Sequence, residues 1–164
     1  MSGLATKIDL PKCTGSLASE ATATCLCAAV RLSFPTEGPD LIDTFICHCS
    51  NCRKLSASLF GAGIMVSSRS VKHLRGQDNL TDFMTPGAVA SGGAVTNTRC
   101  GTCGTLMYRI STSFPGVIAL RTGTVDDASL FENKLRLKTE QFTMYRPSWL
   151  PACKDAKQAE GQAF

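Results

Sequence analysis

Seven of the nine cysteines in this 164-residue chain fall into three tight clusters. The first is Cys25-Leu26-Cys27, the second Cys47-His48-Cys49-Ser50-Asn51-Cys52, and the third Cys100-Gly101-Thr102-Cys103-Gly104. Such spacings suit zinc, which takes four donors in a tetrahedron with sulfurs at ~2.3 Å. A Cys-x-x-Cys turn points two thiolates at one ion, and Gly101 and Gly104 are expected to supply the unusual backbone angles of that knuckle. Cys-x-Cys also places two sulfurs on one side of a bend. A lone Cys-x-x-Cys is a weak signal, but three clusters in one chain are a strong one.

Seven ligands do not divide into two closed sites. Cys25 and Cys27 can join Cys100 and Cys103 in a closed four-cysteine site. Cys47, Cys49 and Cys52 then form a three-thiolate site with an open fourth position. A closed site is structural, and an open one is where chemistry happens. The competing readings are a single zinc with three idle cysteines, and nine buried free thiols. Clusters this tight are hard to explain by core packing alone. His48 could complete the triplet, but it stands directly between two ligands, so its side chain should turn away from a shared ion. It reads as a neighbour of the ligands or a surface residue. His73, on an expected strand with Val71 and Leu74, reads as structural. Cys13 and Cys153 fit no spacing pattern and read as bystanders.

These clusters must be carried by a scaffold, and the composition allows one. With 43% hydrophobic and 18% charged residues the chain is ordinary globular material, not a disordered one. Its net charge of +4 is mild. Lys and Arg are scattered singly apart from pairs such as Arg53-Lys54, which speaks against a nucleic-acid partner. Residues 1–10 lack the ~7–15 apolar residues of a signal peptide. No run approaches the ~20 apolar residues of a membrane span, so no membrane partner is expected. A cytoplasmic location is the default, and in a reducing compartment the cysteines are not read as disulfides.

The scaffold reads as mainly β. Val30, Leu32 and Phe34 alternate with Ala29, Arg31 and Ser33, the period-2 pattern of a half-buried strand. Further strands are expected at 41–46, 59–66, 117–125 and 135–140. Helical signals are local: one turn capped by Asp126 and Asp127 and running through Phe131, and another after Cys52. Residues 81–98, rich in Gly, Thr and Ser, read as a long loop and a candidate lid, the alternative being a disordered insertion. The expected organisation is a leader over 1–19, one zinc-binding domain over 20–152, and a polar tail over 153–164 with weak helical character.

The pattern resembles the glutathione-dependent formaldehyde-activating enzyme family, which also includes centromere protein V. The resemblance rests on Cys25-Leu26-Cys27-Ala28-Ala29-Val30-Arg31, on Cys47-His48-Cys49-Ser50-Asn51-Cys52-Arg53 and on Cys100-Gly101-Thr102-Cys103-Gly104. Gly123-Thr124-Val125-Asp126-Asp127 and Ser148-Trp149-Leu150 add to it, so that it covers roughly residues 20–151. It implies a β-tent fold shared with zinc-binding guanine-nucleotide-exchange chaperones. It also implies two zinc ions: a structural one on Cys25, Cys27, Cys100 and Cys103, and a catalytic one on Cys47, Cys49 and Cys52. Ala28 departs from the family's usual glycine.

Three thiolates make a divalent zinc a weaker Lewis acid than three histidines do, so the open site is less suited to making hydroxide. It suits binding a substrate thiol, which loses its proton and adds to an aldehyde, or leaves again in the reverse direction. The expected activity is therefore that of a carbon–sulfur lyase acting on glutathione or another small thiol adduct. A zinc-assisted lyase or isomerase on a biosynthetic intermediate, and a non-catalytic binding module, are the alternatives. Arg53, Lys54 and Arg99 flank the clusters and could meet a substrate carboxylate or offset the site's charge; the competing reading is solvated surface cations. No general base stands out.

Overall fold

The computed structural model describes residues 19–87 and 92–164. All of the expected leader but Ser19, and with it Cys13, lies outside the described residues. Among the described residues, eleven strands and one α-helix are joined by turns and five short 3-10 helices. In chain order they are β1 (Glu20–Thr24), β2 (Arg31–Pro35), β3 (Leu41–Cys47), α1 (Ser50–Ser56) and β4 (Gly61–Ser67). There follow β5 (Lys72–Arg75), β6 (Leu80–Thr85), β7 (Val95–Cys100), β8 (Leu106–Ser111), β9 (Val117–Arg121), β10 (Thr139–Gln141) and β11 (Lys157–Ala159). A three-stranded antiparallel sheet, β1-β2-β5, faces an eight-stranded one ordered β11-β10-β3-β4-β9-β8-β7-β6. Strand β10 pairs parallel with both β3 and β11, and the other pairings are antiparallel. The mainly-β expectation is met.

The core lies between the two sheets. Val30, Leu32 and Phe34, the alternating set on or beside β2, are fully buried there against Ile64, Val66, Met107 and Leu120. Strand alternation sends the intervening residues of β4 and β9 to the other face. Met65 thus packs with Phe45, Cys47 and Cys52, flanked by Val117 and Ala119, in a second, smaller cluster. One sheet therefore serves two purposes: one face closes the core and the other floors the triplet.

Three sequence expectations need correction. Residues 81–98 are not a lid-like loop but most of a hairpin, β6 and β7, paired from Leu80–Cys100 to Thr85–Val95. The apolar alternation that marks a strand is broken because two of the buried positions, Asn97 and Thr98, are polar. Thr98 donates to Asp82 at 2.6 Å and the Asn97 amide donates to the Phe83 carbonyl at 3.2 Å. Residues 88–91 of that segment lie outside the described residues. The alternation over 135–140 yields strand only from Thr139; Leu135 is buried as part of a turn closed by its amide on the Leu130 carbonyl. The 153–164 segment carries β11 rather than helix, because its pairing to β10 is set by a distant partner and not by local period. The two local helical signals hold. Asp127 caps a short turn, Ala128–Glu132, and α1 forms at the second cluster, starting ahead of Cys52.

Ala28 adopts φ +60°, the left-handed conformation that glycine enters without penalty. Replacing Ala28 by Gly is expected to stabilise the fold by about 0.5–1 kcal/mol, read from the midpoint of chemical denaturation. A loss of stability would show that the Ala28 methyl packs usefully.

Candidate metal centres

The hairpin-and-sheet arrangement brings the first and third clusters together. Cys25 and Cys27 follow β1 in a turn closed by the Ala28 amide on the Cys25 carbonyl. Cys100 ends β7, and the following turn, closed by the Gly104 amide on the Cys100 carbonyl, carries Cys103. Of the two glycines expected to ease this knuckle, Gly104 has the positive φ, +74°; Gly101 instead lies hard against the Asn79 carbonyl. The four sulfurs all lie within 4.8 Å of one another. Cys27 Sγ stands 3.6 Å from Cys25 Sγ and 3.8 Å from Cys100 Sγ. A tetrahedral ZnS₄ centre has sulfur–sulfur edges of about 3.8 Å, so the donor set and its spacing fit such an ion. Burial pushes the Cys25 thiol up to about 12. Burial also opposes ionisation of Cys103, but hydrogen bonds from Thr105 and Cys27 outweigh it and bring that thiol down to about 6.

The second cluster forms where β3 turns into α1. Cys47 is the last residue of β3, Cys49 is the N-cap of α1, and Cys52 is buried in its first turn. Cys49 Sγ accepts the Cys52 backbone N–H at 3.4 Å, a thiol in the position of a capping serine. The three sulfurs again lie within 4.8 Å of one another. Hydrogen bonds from Cys47 and Cys52 hold the Cys49 thiol well below the ordinary range. The contacts with Cys49 and Cys52, together with burial, push Cys47 far above it. Either cluster could hold a metal ion, and they differ in what surrounds them. The triplet opens into a cavity of about 200 Å³ whose walls include Phe45, Met65, Phe114, Phe142 and Phe164.

Two arginines that the sequence reading missed stand at this site. Arg109 on β8 donates from Nη1 to Cys52 Sγ at 3.3 Å and lines the cavity. Arg121, the last residue of β9, is buried beside it; burial works against its charge while Cys52 and Cys47 favour it. Gly61 makes room for it: a Cβ there would lie 2.7 Å from Arg121 Nη2 and 3.0 Å from Cys52 Cβ. A lone arginine inside the apolar 117–125 run was the available signal. Arg109 gave none. Of the cations the sequence singled out, Lys54 and Arg99 are exposed. Arg53 is half-buried and lines a separate hollow with Ser50, Lys54 and Leu59.

His48 is wholly buried, a neighbour of the triplet and not a surface residue. Its ring turns away from the sulfurs, and Nε2 donates to Glu140 Oε1 at 2.7 Å. Glu140 also accepts from Arg146 Nη1 at 2.9 Å and from the Cys153 amide at 2.7 Å. Burial opposes its charge, but these bonds prevail and bring Glu140 down to about 2. His73 lies on β5, half-buried, with its ring edge against Tyr108, as a structural residue would. Cys153 belongs to neither sulfur group.

No curated protein matches the chain in sequence. The crystal structure of a Rhodobacter sphaeroides protein, from a structural-genomics programme, shares the fold, with a TM-score of 0.50 and 21% identity. That match covers 63% of this chain and 85% of the other. The profile of the glutathione-dependent formaldehyde-activating enzymes matches residues 20–145, a span that holds both sulfur clusters and every strand except β11. On that match, the chain belongs to the glutathione-dependent formaldehyde-activating enzyme family.

Proposed function

We propose that the protein is a zinc-dependent carbon–sulfur lyase acting on a small thiol and its aldehyde adduct, with glutathione the family's reference thiol. The observation that carries this reading is the contrast between the two clusters. Four sulfurs close one site, while three sulfurs stand at the mouth of a cavity beside two arginines. In this reading Cys25, Cys27, Cys100 and Cys103 hold a structural zinc, and Cys47, Cys49 and Cys52 hold a catalytic one. Zinc bound at the triplet would supply an open coordination position and lower the pKa of a thiol placed there.

The protein's own groups prepare the site for an anionic sulfur. Three thiolates on a divalent ion leave one negative charge, and Arg109 and Arg121 turn that into one positive charge. An incoming thiolate then brings the site to neutrality, which offsets the cost of holding charge in an apolar cavity. Phe45, Phe114 and Phe142 give the cavity beside the triplet an apolar wall. In the forward direction the thiolate sulfur adds to the carbonyl carbon, the carbon–sulfur bond forms, and the oxygen takes a proton. The reverse breaks that bond and returns the electron pair to sulfur. A reducing cytoplasm, where thiols persist, is the compartment this chemistry requires.

Fully loaded protein is expected to contain two zinc ions per chain by elemental analysis. Replacing zinc with cobalt makes sulfur ligation visible, because each added thiolate strengthens charge-transfer absorption. A small thiol should add intensity, saturating at one equivalent per chain, with affinity rising as pH approaches the thiol's pKa near ~8.5. The hydroxyl analogue should add none. One zinc per chain, or a spectrum indifferent to every thiol, would overturn the reading and favour a structural binding module.

A further inference from the structure

The walls of the cavity say what kind of thiol it takes. Among its described lining residues Arg109 is the one charged side chain, and there is no Asp or Glu. Arg109 already spends a donor on Cys52. Glutathione carries two carboxylates and an ammonium besides its sulfur. Burying its ammonium with no acid to meet it, and two carboxylates beside a single lining arginine whose Nη1 already serves Cys52, is strongly unfavourable. The cavity, at about 200 Å³, is also smaller than the ~300–1,000 Å³ of ordinary small-molecule sites.

Besides five uncharged polar residues, Ser50, Asn51, Ser111, Gln141 and Gln162, the walls offer aromatic surface. Phe45 and Phe164 meet edge to face, with centroids 6.1 Å apart and rings inclined at 71°. Phe114, Phe142 and Met65 complete an apolar enclosure around the mouth of the triplet. Rings so placed favour an aromatic or similarly sized hydrocarbon over a hydrated peptide.

We infer that the substrate is a hydrophobic thiol, or its adduct, whose sulfur is its only ionisable group and whose ring-sized apolar body fills this cavity. The inference rests on the thiol-site reading above and narrows it away from glutathione. The cobalt-substituted protein is titrated with phenylmethanethiol, 2-mercaptoethanol and glutathione, following the charge-transfer band. Phenylmethanethiol is expected to bind at least tenfold more tightly than glutathione. Phe114→Ala and Phe164→Ala should each weaken phenylmethanethiol about fivefold while leaving 2-mercaptoethanol within twofold. The thiol's own acidity cancels in that comparison, since one ligand is measured on two proteins. Both rings lie outside the buried core, Phe164 being 42% exposed, so the fold does not depend on them. Glutathione binding as tightly as phenylmethanethiol, or both variants weakening the two test thiols equally, would overturn the inference. Silence towards all three thiols would overturn the thiol-site reading with it, and is thereby told apart from a preference for glutathione.

Discussion

Cys100→Ser is expected to abolish the cooperative thermal transition of the domain, whereas Cys49→Ser keeps the transition and loses activity. Cys100 ends β7, and its cluster ties that strand to the turn after β1, so its four sulfurs hold the small sheet to the large one. Binding of a structural zinc is worth roughly 10 kcal/mol in small domains, comparable to the whole ~5–15 kcal/mol by which a native fold is stable. Cys49 instead caps a seven-residue helix and faces the cavity. Serine is itself a good N-cap, so its substitution there removes a sulfur without removing the cap. Circular dichroism on heating, run beside an activity assay, separates the two variants. Equal unfolding of both would remove the division between a structural and a catalytic cluster.

Glu140→Ala is expected to cost about 3–5 kcal/mol, the scale for removing one partner of a buried ion pair. The carboxylate is fully buried and accepts three bonds, from His48, Arg146 and the Cys153 amide. Its loss leaves the His48 ring unmatched in the interior and strips the half-buried Arg146 of its carboxylate, leaving that guanidinium its bond to Gln158. Glu140→Gln keeps an acceptor and should fall in between. The pH dependence has a definite sign. Because the folded-state pKa is lowered from 4.5 to about 2, the stabilisation is fully present above about 4.5 and is lost as pH falls towards 2. The stability difference between the parent and Glu140→Gln should therefore shrink across that window in urea unfolding. A difference that stays constant from pH 7 to pH 3 would mean the carboxylate is not ionised in the folded state.

The sulfur clusters were legible because each is local: two or three ligands fall within one turn of chain, and spacing alone announces them. Val30, Leu32 and Phe34 were legible for a similar reason, since apolar alternation is a short-range signal. Glu140 and Arg109 were not. Glu140 reaches His48 only because β10 pairs in parallel with β3, setting Glu140 opposite Ile46 and Gln141 opposite Cys47. Arg109 reaches Cys52 only through the sequence of pairings from β8 to β9 to β4. The β6–β7 hairpin was missed because Asn97 and Thr98, at the middle of its buried face, are polar residues whose hydrogen bonds no pattern of hydrophobicity records.

The four-sulfur cluster also sets an order of events during synthesis. Cys27 and Cys100 lie 73 positions apart in the chain, yet their sulfurs finish 3.8 Å from each other. At a ribosomal rate of ~5–20 residues per second, Cys25 and Cys27 wait about 4–15 s for Cys100 and Cys103 to be made. Cys47, Cys49 and Cys52 are made well before that, within a few positions of one another. Apart from Cys13, which is made earlier still, the first sulfurs that the nascent pair can share an ion with are therefore those of the triplet. In the two-zinc reading proposed above, an ion captured in that interval would reach its final cluster only once β7 pairs and brings Cys100 home, so late strand pairing, and not which sulfurs meet first, would decide the partition.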